Sequence, residues 1–259
     1  MNDKKTDCRD EGIDNIQSDQ YVFPYHYIPS QSGFPTFSRH WRFAPSYLAA
    51  IRFAADWLLQ LSSRRQSNKH MDYGCGDGGF VHALLKHEKL RSVAFSGVDF
   101  DQRAIQWAQA FGDNSGVFRC VDIHDLPAQE YDSGSLVEVF EHIPPAEGQK
   151  FIEGVARSLK IGAHLFITVP STEKPLEKKH YRHFDFNNLQ LCFGDHFEMI
   201  DCFGFEKHST ISKILSKVLM NRFIFIETPW TSRFLVRQMA KKSKELRGCG
   251  RICLIMRKI

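Results

Sequence analysis

Apolar residues recur along this chain with two periods, and the change from one to the other marks out the elements. Between residues 45 and 62, Tyr47, Leu48, Ile51, Ala54, Ala55, Leu58 and Leu59 fall on one face at a spacing near 3.6, which predicts an amphipathic helix. From His70 onward, short apolar runs suited to strands alternate with helical spacing. HMDYG, SVAFSGVDF, VFRCVDI, SLVEVF and AHLFITVP read as strands. GGFVHALLKHE, DQRAIQWAQAFG and PPAEGQKFIEGVARSLK read as helices, the last with proline near its start. Such alternation predicts an α/β fold, a parallel sheet wound on both faces by helices. After Pro170 the rhythm changes. The polar loop STEKPLEKKHYRHFD leads to a short helix around 187–193, a strand FEMIDCFGF, a basic helical stretch over 209–247 and a strand-like RICLIMRKI.

The ends differ from the middle. Residues 1–20 are polar and predict a disordered tail. Residues 21–66 hold an aromatic arm, including FPYHYIP with Tyr25, His26 and Tyr27, and the first helix. Residues 67–259 form the main domain, with 209–247 as a helical insertion.

Composition narrows the class. A net charge of +4 over 259 residues does not by itself imply nucleic acid. Seven cysteines with no CxxC pair argue against a zinc site or disulfide framework and suit a reducing, cytoplasmic setting. The N-terminal residues lack the apolar core of a signal peptide, and no run of about 18 apolar residues is present.

The strongest chemical signal is Asp72-Tyr-Gly74-Cys75-Gly76-Asp-Gly78-Gly79 between a strand and a helix. Glycines there permit a tight turn and the close approach of a ligand, and Gly74, Gly76 and Gly79 also satisfy GxGxxG. Asp99 ends the next predicted strand, where a carboxylate can accept both hydroxyls of a ribose; its alternative is a helix N-cap. Asp122 ends the third, where a polar group and Ile123 can meet an adenine; its alternative is a turn residue. Acidic groups at successive strand ends point to one ligand, because ligands sit at the carboxyl ends of parallel strands.

These segments resemble the ordered motifs of class I methyltransferases. DYGCGDG is similar to their first motif, GVDFD to the second and CVDIHDLP to the third. YDSGSLVEVFEHIP and LKIGAHLFITVP resemble their fourth and fifth strands, so the likeness spans roughly residues 68–205. It implies a doubly wound, Rossmann-like, seven-stranded sheet with one antiparallel strand, and S-adenosylmethionine as cofactor. By that likeness Asp72, Gly74, Cys75, Gly76, Gly78, Asp99, Asp122, Ile123 and Glu138 are the candidate cofactor contacts, and the arm and helix of 21–66 are a candidate lid over the acceptor, with Tyr25, His26 and Tyr27 as candidate substrate contacts. In one departure, Tyr131-Asp-Ser-Gly134 stands where relatives continue with apolar residues, so a loop is expected there.

Glu138-Val-Phe-Glu141-His142 follows the fourth strand, facing the acceptor side. His142 is a candidate general base or a structural brace, and His183 is the second candidate catalytic residue. Glu138, Glu141 and His142 have i, i+3, i+4 spacing, so a helical turn would present them together to a divalent metal, with His180 or His183 in reach as a further ligand. ExxEH is similar to the string in small-RNA 3′-end methyltransferases and ubiquinone-pathway O-methyltransferases. The loop holding Lys178, Lys179, His180, Tyr181, Arg182 and His183 is cationic and suits an anionic acceptor, unless it is a solvated charge run. The basic 209–247 stretch either docks on its own domain or makes a peripheral contact with a membrane or RNA.

The expected function is methyl transfer from S-adenosylmethionine to an oxygen of a small-molecule or cell-envelope glycan acceptor. The rivals are a metal-assisted RNA 2′-O-methyltransferase, a nicotinamide oxidoreductase and a non-catalytic partner protein.

Overall fold

The computed structural model describes residues 44–64, 68–112, 116–207 and 229–259, with residues 214 and 218. The expected tail and aromatic arm lie outside this set. In chain order the elements are α1 (Ala44–Ser63), β1 (Lys69–Tyr73), α2 (Gly79–Leu85), β2 (Ala94–Asp99), α3 (Gln102–Ala110), β3 (Val117–Cys120), β4 (Tyr131–Val137), α4 (Gly148–Ser158), β5 (Leu159–Pro170), α5 (Phe186–Phe193), β6 (Phe197–Lys207), α6 (Pro229–Met239) and β7 (Cys249–Lys258).

The strands form one seven-stranded sheet in the order β3-β2-β1-β4-β5-β7-β6. β1 to β5 pair in parallel, and β7 runs antiparallel to both β5 and β6. RICLIMRKI is therefore the expected antiparallel strand. The order reverses between β1 and β4, and a crevice at their carboxyl ends is where an open α/β sheet holds ligands. Both faces of the sheet are covered by apolar clusters, one containing α1, α2 and α3 residues and the other α4 and α5 residues.

α1 forms where its period predicts, but its buried line is rotated from the one the spacing suggests. Phe53, Ala54, Trp57, Leu58 and Leu61 are buried, whereas Leu48 is exposed. The aromatic residues set the rotation. Phe53 meets Phe203 and Phe205 edge-on, and Trp57 lies against Phe166 and His70.

The loop expected at Tyr131–Gly134 is strand instead. Asp132 accepts from the backbone of Asn68 and Lys69 (3.1 and 3.0 Å) and pairs with Lys160 (2.6 Å). Gly134 lets Tyr73 of β1 come close, for a Cβ there would stand 2.6 Å from the ring. These polar and small residues are what stitch β4 to its neighbours.

In the described part of 209–247, helix stops at Met239. Beyond it Ser243 exchanges two backbone bonds with Gly204, and the basic residues turn onto the domain: Lys242 lies over Phe53 and Phe203, and Lys244 pairs with Asp201. No helix among the described residues is long and apolar enough to cross a membrane.

Candidate active site

The glycine loop leaves β1 with Gly74, Gly76 and Gly78 all in the left-handed region, at φ of 72°, 54° and 77°. Alternating handedness folds the loop tightly; the N–H groups of Gly74 and Cys75 both donate to the Val98 carbonyl (2.8 and 2.9 Å). A Cβ on Gly74 would stand 2.7 Å from Val139, so this loop and the turn after β4 are in direct contact. Cys75 turns its side chain into the core, where burial pushes its thiol well up. What it offers a ligand is backbone.

Asp99 ends β2 and is buried. One carboxylate oxygen accepts from the Gly76 N–H and the other from the Asp101 N–H, both at 2.9 Å. The side chain thus fixes the glycine loop, and each oxygen keeps a further lone pair for a ribose hydroxyl. Burial raises its pKa to about 6 despite these donors. The N-cap of α3 is Asp101, which accepts from Arg103 and Ala104. Phe100 beside it is 71% exposed, an aromatic surface next to Asp99 that no spacing in the sequence singles out. Asp122 caps a 3-10 turn by accepting from His124 (2.8 Å), and Ile123 packs toward Gly154 of α4.

Asp72 is buried at the end of β1, and its Oδ1 accepts from Ser135 (2.6 Å). Burial first, and then the charge of Asp99, lifts its pKa to about 7 against the pull of that bond.

The turn after β4 departs from the helical arrangement its spacing predicts. Glu138 is left-handed at φ 58°, and only Phe140–His142 makes a 3-10 turn. Glu138 therefore swings away from Glu141 and His142. Its Oε2 accepts from Arg251 Nε (2.8 Å), and Arg251 also pairs with Glu206, which meets Lys174 at 3.6 Å. In place of Glu138, His180 joins the group. Ligand atoms of Glu141, His142 and His180 all lie within 4.8 Å of one another.

Hydrogen bonds set the state of this trio. His142 Nδ1 lies 3.0 Å from the Lys179 carbonyl, which can only accept, so Nδ1 carries the proton and Nε2 keeps its lone pair. His183 Nδ1 donates likewise to the Lys174 carbonyl (3.2 Å), which leaves its Nε2 to accept from His180 Nδ1 (2.8 Å). His180 then also presents a bare Nε2. Burial holds the imidazoles neutral, lowering His142 to about 3 and His180 to about 2. Glu141 is wholly buried, and among the described residues neither of its oxygens has a hydrogen-bond partner. Burial, and then the charge of Glu138, pushes its carboxyl well up.

The KKHYRHF loop closes over this turn rather than standing in solvent. Tyr181 N–H donates to the Glu141 carbonyl, and Arg182 lies over the rings of Phe140 and Phe184. Lys179 is half-buried and Lys178 is exposed.

A family model described as a methyltransferase domain matches residues 39–205. The chain belongs to that family. Its family is that of methyltransferase domains and its fold that of class I methyltransferases, which speaks against the oxidoreductase reading. The chain is 32% identical over 106 residues to a ubiquinone biosynthesis O-methyltransferase of Coxiella burnetii, across 39% of this chain and 43% of that protein. It spans less than half the length of the curated relatives it matches. Its fold is similar to magnesium protoporphyrin IX methyltransferase from Synechocystis with bound S-adenosylmethionine (TM-score 0.58, 17% identity, 95% of this chain and 97% of that one). It is also similar to a methyltransferase from Archaeoglobus fulgidus (TM-score 0.55, 15% identity, 85% and 100%).

Proposed function

We propose that the protein transfers the methyl group of S-adenosylmethionine to an oxygen of a small-molecule acceptor, and that Glu141, His142 and His180 hold a divalent cation that presents this oxygen. In this reading the cofactor lies along the glycine loop, with Asp99 on the ribose, Asp72 at the amino-acid end, Phe100, Asp122 and Ile123 around the adenine, and Glu138 at the loop's far side. The observation that carries the metal is Glu141. A wholly buried carboxylate with no hydrogen-bond partner among the described residues is costly, and a cation between it and two bare imidazole nitrogens removes the cost. Two nitrogens and one carboxylate suit Mn²⁺ or Zn²⁺ better than Mg²⁺.

When bound, such a cation lowers the pKa of a coordinated acceptor hydroxyl, which supplies the nucleophilic oxygen. The chain's own residues orient and exclude. The Lys179 carbonyl and His183 fix the two imidazoles, as outer partners of metal-bound histidines do. The Arg182 guanidinium seals the turn against Phe140 and Phe184. His142 is poorly suited to be a general base, because burial leaves it about 3 in pKa and so only weakly basic. The O-methyltransferase named among the relatives supports an oxygen acceptor, and ligand positions left by a three-residue set favour one with neighbouring hydroxyls. The inward turn of the loop weakens the case for an anionic acceptor.

The test is methyl transfer to catechol and phenol acceptors before and after dialysis against a chelator, with metal content measured. Chelation should abolish turnover, and Mn²⁺ or Zn²⁺ should restore it. Glu141→Gln should lose the metal while still binding S-adenosylhomocysteine. Full activity in excess chelator would remove the metal from this reading and leave the methyltransferase.

A further inference from the structure

A line of polar side chains crosses the otherwise apolar interior between β1 and β4. His70 and Asp72 stand two residues apart on β1, in register with Ser133 and Ser135 of β4, so all four share one face of the sheet. His70, Ser133 and Ser135 are wholly buried. Ser133 Oγ lies 2.8 Å from His70 Nδ1, His70 Nε2 lies 3.0 Å from Ser135 Oγ, and Ser135 Oγ lies 2.6 Å from Asp72 Oδ1.

The direction of every proton in this line follows from its end. Ser135 has one hydroxyl proton and gives it to Asp72, so it must accept from His70 Nε2–H. Burial keeps His70 neutral, lowering it to about 3, so its Nδ1 has no proton and accepts from Ser133. All three donors point toward the carboxylate. Bonds aligned in this way polarise one another. Nothing in the glycine loop requires such a line, and Trp57 and Phe95 pack on the His70 ring as they would on a phenyl group.

We propose that His70 and Ser135 are positioning residues for the cofactor: they hold Asp72 by Oδ1 so that Oδ2 is presented to the α-ammonium group of S-adenosylmethionine. The inference rests on the cofactor placement above, and it adds the residues that make Asp72 a fit acceptor. Burial alone favours the protonated acid, which carries no charge to pair with an ammonium group. A polarised hydroxyl on Oδ1 favours the carboxylate, the form that a cation binds. It also fixes the side chain's rotation, since Oδ1 is held by Ser135.

The experiment compares two ligands by calorimetry, S-adenosylhomocysteine and 5′-methylthioadenosine. Both carry the adenosine and the thioether, and only the first carries the amino acid. Ser135→Ala should weaken S-adenosylhomocysteine by about 10- to 100-fold, the worth of a bond to a charged group, and leave 5′-methylthioadenosine within about 2-fold. His70→Phe keeps the ring packing and removes both nitrogens; it should give a smaller loss with the same selectivity. It also serves if Ser135→Ala fails to fold. Ser135→Thr should restore binding. A merely structural role would weaken both ligands in parallel, and that result overturns the inference, as does undiminished S-adenosylhomocysteine binding in both variants. Wild-type protein that binds neither ligand would overturn the cofactor placement itself.

Discussion

Asp99 shows how much one side chain carries at this site. Its two oxygens join the ends of separate segments, the glycine loop through Gly76 and the start of α3 through Asp101. Asp99→Ala is therefore expected to lower stability by about 3–6 kcal/mol without any ligand, since two bonds to a charged group are worth roughly 1.5–3 kcal/mol each. Urea unfolding of the ligand-free protein measures this, and an unchanged midpoint would reduce Asp99 to a ligand contact. His70 makes a prediction in pH. It titrates at 6.5 when unfolded and at about 3 in the fold. Between those values the unfolded chain binds the extra proton, so this group's contribution is intact above pH 6.5 and is lost as pH falls toward 3. The slope is about 1.4 kcal/mol per pH unit. Relative to His70→Phe, the wild type should lose roughly 2 kcal/mol between about pH 7 and about pH 5. Parallel stability curves for the two proteins would show that His70 is not buried neutral.

At the scale of elements, β4 repays attention. Gly134→Ala would drive a methyl group into Tyr73, whose hydroxyl is already held by Ser158 at 2.6 Å. Overpacking of this kind costs about 1–3 kcal/mol, so the urea midpoint should fall with an unchanged slope. A variant as stable as wild type would mean that the β1–β4 contact is loose. The same strand explains what the sequence made legible. Strands and helices from His70 to Pro170 were readable because their periods are regular and their glycines and acids punctuate the right ends. The start of β4 was not, because Asp132, Ser133 and Gly134 look like a turn until the backbone of Asn68 and the ring of His70 are seen to answer them. The ExxEH spacing invited a helical face. The left-handed Glu138, drawn to an arginine 113 residues later, breaks that face. His180 was in view only as a helper, since no local spacing ties a loop residue to a turn 38 positions earlier; the bond from His142 to the Lys179 carbonyl does so.

For the whole molecule, Arg251 is the tie between halves. It lies buried in β7, between Glu138 beside the candidate metal turn and Glu206 at the end of β6. Both glutamates are left-handed, at φ 58°. Removing the arginine takes the paired cation from half-buried Glu138 and leaves buried Glu206 with only Lys174 at 3.6 Å among the described residues, and breaking buried pairs of this kind costs about 3–5 kcal/mol. Arg251→Ala should destabilise the protein by that amount in chemical unfolding, and Glu206→Gln introduced alongside should recover part of it. Additive losses in the double variant would mean that the three charges do not act as a unit.

The strand order carries a consequence for how the molecule is made. β6 touches the sheet only through β7, yet β7 comes later in the sequence and wedges between β5 and β6. During synthesis, β5 and β6 leave the ribosome as neighbours in the chain that are not neighbours in the finished sheet. Until Cys249–Lys258 arrives, the apolar edge of β5 is a template for the wrong partner, and β6 is the nearest candidate. Pairing over such separations closes slowly. The nascent protein thus passes through a stage in which its cofactor half is complete and its far edge is open to mispairing, the stage at which a chaperone has most to protect.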